Sequence, residues 1–147
     1  MAYRRAVAAI ALVATKTRRV RARLGLSDSG RLLWEPGALR DFVDIEGAAG
    51  ASYRFMRLRE GRPLSPMGGN YLYARFTGEV FELIFAGEAQ NLLTSARDRW
   101  GEAERRFQVT EIFTRLNISE RVRQLELTEI VEANHPPMNT KPDRPAV

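Results

Sequence analysis

Residues 70–85 read NYLYARFTGEVFELIF, two runs dense in aromatic and β-branched residues with Thr77-Gly78 between them. Such runs are strand-forming, and a Thr-Gly junction between them is a tight-hairpin signal. The hairpin dictates that Asn70 to Phe76 and Glu79 to Phe85 lie side by side and antiparallel. The rest of the chain is read around it.

Upstream, Ser52 to Arg59 (SYRFMRLR) sets Tyr53, Phe55 or Met56, and Leu58 among arginines, the period of a half-exposed strand. Its two prolines and three glycines make GRPLSPMGG a loop. Downstream, after Gly87, the pattern turns helical over Ala89 to Trp100, with Leu92, Leu93 and Ala96 on one side. Phe107 to Arg115 returns to strand chemistry. Ser119 then caps a helix running to about Ala133, which stops before Pro136-Pro137. Between Ser27 and Gly50 the sequence suggests a turn with a helical turn or two around Leu39, Phe42, Val43 and Ile45, then a flexible connection at Gly47 to Gly50, and a domain edge is expected within this stretch.

The order strand, hairpin, helix, strand, helix predicts an α+β fold with a small, mainly antiparallel sheet flanked by helices. At 147 residues and 44% hydrophobic the chain suits one such domain, here residues 27–139, with a basic N-terminal amphipathic helix or tail at 1–26 and a flexible tail at 140–147.

Charge is distributed unevenly. Seven of the 23 Lys and Arg stand in residues 1–24, which hold no acid, so the remainder carries 16 basic against 18 acidic groups. The N-terminus, with Arg18, Arg19, Arg21 and Arg23, is therefore the expected nucleic-acid contact, with a protein partner or an anionic membrane surface as the alternative for residues 1–26. The apolar run Ala6 to Ala14 is nine residues long, too short for the roughly 20 a bilayer span needs. The Lys16 to Arg23 cluster after it is wrong for a secretory cleavage region, and the absence of cysteine fits a reducing, cytoplasmic setting. It also excludes disulfides, thiolate metal sites and a cysteine nucleophile. A single histidine, His135, excludes multi-histidine metal sites.

One pattern bears on chemistry. Gly69-Asn70-Tyr71, a hairpin, then Phe85-Ala86-Gly87 followed by EAQNL resembles the two-part signature of the GIY-YIG nucleases, Gly-x-Tyr and Tyr-x-Gly on adjacent strands. The Glu-bearing segment Glu126 to Glu132 and Asn139 beyond the prolines resemble that family's closing helix and terminal asparagine. The resemblance covers about residues 66–139. It implies a metal-dependent endonuclease using Mg²⁺ or Mn²⁺, in which a tyrosine pair and an arginine act on water and phosphate while a glutamate holds the metal.

Carried over by position, Tyr71 stands as the first tyrosine, Phe85 replaces the second, and Ser95 occupies the arginine position. Arg99, four residues on from Ser95, shares its helix face about 6 Å away and could substitute, or it is a solvated helix arginine. Glu126 is the candidate metal ligand, or a salt-bridge partner. Gly87 would open a helix whose free N–H groups face phosphate, or is an ordinary strand-to-helix turn, and Tyr71 could be a simple hairpin aromatic. The incomplete set leaves two expectations: a weak or inactive endonuclease acting on nucleic acid, or a non-catalytic interaction module that keeps the fold.

Overall fold

The computed structural model describes residues 41–77 and 80–140, together with the backbone of Val20–Arg21. Among these, six strands form one antiparallel sheet in the order β1-β2-β3-β6-β4-β5. In chain order they are β1 (Val20–Arg21), β2 (Phe42–Glu46), β3 (Ser52–Arg57), β4 (Gly69–Thr77), β5 (Val80–Ala89) and β6 (Glu111–Leu116), with helices α1 (Leu92–Ser95), α2 (Trp100–Phe107) and α3 (Glu120–Asn134) against them. This is the α+β architecture expected. No helix among the described residues is long and apolar enough to cross a membrane.

The hairpin forms as its sequence dictates, with Phe76 opposite Phe81 and Tyr71 opposite Gly87. Pairing slips by one residue between Tyr73, opposite Phe85, and Ala74, opposite Leu83, so that Ile84 is inserted as a bulge. Because side chains alternate along a strand, one inserted residue moves everything after it to the other face. Phe81 and Leu83 accordingly join the core under α3, whereas Phe85 joins the core under α1 and α2.

Two layers of core result. On one face Leu72, Ala74, Phe113, Phe55, Val43 and Ile45 pack with Ile130 of α3. On the other, Tyr71, Tyr73, Phe85, Leu92, Ala96 and Ala103 form the second cluster. Ser119 caps α3 as its sequence predicts, its Oγ accepting from the Val122 N–H at 3.3 Å. The helix ends at His135, which adopts the left-handed conformation ahead of the prolines.

Three expectations need correction. Phe42–Glu46 is a strand and not a helical turn, because Val43 and Ile45 alternate into the core beside β3. The Gly47–Gly50 segment, read as a flexible connection, is the turn of the β2–β3 hairpin; Gly50, at φ 89°, supplies its left-handed residue. The helix read over Ala89 to Trp100 is two helices, since β5 continues to Ala89 and the chain turns at residues 96–99. Within the expected N-terminal helix, Val20–Arg21 is extended and pairs with β2; the rest of 1–26, including Arg18, Arg19 and Arg23, lies outside the described residues, as do Gly78, Glu79 and 141–147.

Candidate functional site

Gly87 does not begin a helix. It sits within β5 directly across from Tyr71, and a Cβ placed on it would lie 2.4 Å from Tyr71 Cζ and 2.6 Å from Oη. The small residue in FAGEAQNL is there to receive a phenol ring, and its N–H is in a strand rather than at a helix end.

Tyr71, 6% exposed, stands 5.6 Å from the Tyr73 ring and 5.9 Å from that of Phe85. Burial raises its hydroxyl pKa, and Asp98 adds to this while Arg99 opposes it. Tyr73 donates to the Ala96 carbonyl at 2.6 Å, which ties β4 to the turn before α2. That turn carries Arg99 to within 5.0 Å of the Phe85 ring centroid. The Arg99 guanidinium also binds both oxygens of Glu102, at 2.7 and 3.1 Å. The fold thus brings Tyr71, Phe85 and Arg99 together, through a chain turn rather than the single helix expected.

Glu126 is elsewhere. It lies on α3 against the opposite face of the sheet, where Asn70 and Arg115 also point, and is 5% exposed. Arg115 grips it with two parallel bonds of 3.1 Å, and Asn117 Nδ2 donates to the same carboxylate at 3.0 Å. Beside this pair, the buried Arg123 binds Glu88 at 2.8 Å and the carbonyls of Asn117 and Ile118, while Asn70 donates to the Arg123 carbonyl. These groups satisfy one another and lock the β6–α3 junction onto the hairpin.

Glu126, the expected metal ligand, is held in these bonds. The Glu126 carboxylate already faces a guanidinium, and among the described residues there is no group of three or more His, Asp or Glu side chains able to hold a metal. Asn139 is also engaged in the framework. Its side-chain amide accepts from the Ala86 N–H and donates to the Ala86 carbonyl, both at 2.8 Å, and the Met138 N–H donates to Ile84 at 3.0 Å. Residues 138–139 therefore cover part of the outer edge of β5.

The residues that sequence reading passed over are arginines around the 58–65 loop. Three adjoining grooves meet there, sharing Leu58, Gly61, Arg97, Pro63 and Leu64, and Arg54, Arg57, Arg59, Arg62, Arg97 and Arg115 line them against only Glu60 and Glu111. Arg54, Arg59 and Arg115 are paired with Asp44, Asp41 and Glu126. Among the described residues the side chains of Arg57, Arg62 and Arg97 make no ion pair or hydrogen bond. The signal was present in SYRFMRLR, where arginines recur along a half-exposed strand, but only the fold adds Arg62 and Arg97 to them.

No family model matches the chain, and no curated protein or solved structure matches it.

Proposed function

We propose that this domain binds nucleic acid without cleaving it. The observation that carries the reading is the gathering of Arg57, Arg62 and Arg97, whose side chains make no salt bridge or hydrogen bond among the described residues, along adjoining grooves of a body whose total charge is slightly acidic. Phosphate contacts by arginine supply most non-specific affinity, and a local cluster supplies them whatever the net charge elsewhere. The resemblance to GIY-YIG nucleases supports the ligand class. Hydrolysis lacks support, since Tyr71 and Arg99 stand on one face while Glu126 is held by Arg115 on the other.

The test is fluorescence anisotropy of a labelled oligonucleotide against the full chain across a salt series, with R57Q/R62Q/R97Q alongside. Each lost phosphate contact should flatten the salt slope by about 0.7–0.9. An unchanged slope would remove the grooves from the interface, and Mg²⁺-dependent nicking of plasmid would overturn the non-cleaving part.

A second reading rests on exposed apolar side chains at the β6–α3 junction: Leu116 (56%), Ile118 (75%), Val122 (41%) and Leu125 (59%). Neighbouring apolar residues so exposed suit a protein contact. A monodisperse monomer that captures no partner, and that binds oligonucleotide, would favour the first reading.

A further inference from the structure

The groove at the sheet rim, where β3 leaves and β6 enters, holds about 580 Å³. This lies within the roughly 300–1,000 Å³ of small-molecule sites. Arg57, Arg97, Trp100 and Glu111 all line it. The Arg57 Nε is buried with no acceptor, whereas Arg75, whose Nε is likewise unpaired, has its other nitrogens on Glu82 and Phe107. Among the described residues no hydrogen bond or ion pair is made by the side chains of Arg97, Trp100 or Glu111. Burial raises the Glu111 carboxyl pKa, with Arg57 opposing the shift. Buried polar groups are ordinarily satisfied, so the unpaired Arg57 Nε is an exception, and beside it the exposed Arg97 and the half-buried Trp100 and Glu111 leave their polar groups open to a ligand in the groove.

We propose that this groove is a nucleotide pocket in which Arg57 and Arg97 hold a phosphate, Trp100 lies against the base, and Glu111 accepts from an exocyclic amino group. The two signs of charge have separate tasks. Guanidinium forks match phosphate oxygens, an aromatic wall suits any base, and a carboxylate accepts from the amino group that cytosine, adenine and guanine carry and uracil lacks. This deepens the nucleic-acid reading and rests on it for the ligand class. The same chemistry is offered by a free nucleotide and by an unpaired nucleotide in a strand, and Arg59 and Gly61 at the same groove lead on to the neighbouring groove along the loop.

Calorimetry with the full chain decides it, using CMP and UMP and short oligomers of deoxycytidine and deoxyuridine. The cytosine ligands should bind at least tenfold more tightly than the uracil ones. Glu111→Gln should collapse that preference, because an amide can accept from cytosine or donate to uracil. Arg97→Gln, at an exposed position, should weaken both bases alike by about tenfold without affecting folding. Equal binding of the two bases, or a preference untouched in Glu111→Gln, overturns the pocket. If the oligomers still bind with salt dependence in that event, the nucleic-acid reading survives it. Preference among mononucleotides with no oligomer binding would instead keep the pocket, assign it to free nucleotide, and overturn the nucleic-acid reading.

Discussion

Tyr71 and Gly87 face one another across the β4–β5 pair, and the ring of the tyrosine occupies the space where the glycine has no side chain. Gly87 does not have a positive φ, so its requirement is steric and not conformational. Gly87→Ala should destabilise by about 1–3 kcal/mol, the usual cost of overpacking. Tyr71→Leu in the same chain should recover part of that loss. Urea denaturation of the single and double variants checks it: additive losses would mean that the contact does not limit the site.

Glu126 serves the framework, and its replacement should register as stability. Removing one partner of a buried pair costs about 3–5 kcal/mol, but Arg115 keeps a third of its side chain in water. Glu126→Ala should therefore cost about 2 kcal/mol, read by denaturant midpoint, with oligonucleotide affinity per folded molecule not reduced, since the change frees the groove residue Arg115.

The Asn139 amide makes two bonds to Ala86 at the outer edge of the sheet. Asn139→Ala should lose about 1–2 kcal/mol at about 1 kcal/mol per bond. It also bares backbone groups that can pair with another chain. Sedimentation velocity should show concentration-dependent self-association in the variant and less in the parent.

Stability should fall in alkali through Tyr53. Its hydroxyl is pushed up from 10.0 to about 12 by burial first, then by its 2.5 Å hydrogen bond to Glu129. A folded-state pKa above the unfolded one means that the native state keeps its proton longer, so this stabilisation is complete below pH 10 and is lost as pH rises towards about 12. Thermal unfolding across that window should be less pH-dependent in Tyr53→Phe.

Glu111 shifts in the same direction, so it too favours the folded state at low pH and withdraws that contribution as pH rises above the ordinary carboxylate range. Glu111→Gln removes the cost of a desolvated charge. Its melting temperature should exceed the parent's at neutral pH, and the difference should shrink in acid.

What was legible from residue order alone was local. The β4–β5 hairpin, the Ser119 cap and the stop before Pro136 depend on neighbours a few residues away, and these elements form as read, whereas the strand read from Phe107 begins only at Glu111 because Phe107 ends α2. Only the tertiary structure decided which face each functional candidate would occupy. The Ile84 bulge turns Phe85 towards Tyr71, and the α3 register sets Glu126 on the opposite face beside Arg115. A one-residue slip in a strand reverses every later side chain at little local cost, so periodicity carries no sign of it. The Arg57, Arg97 and Glu111 groove was hidden for a related reason. Its members come from β3, an interhelical turn and β6, and only the pairing of those strands brings them to one rim.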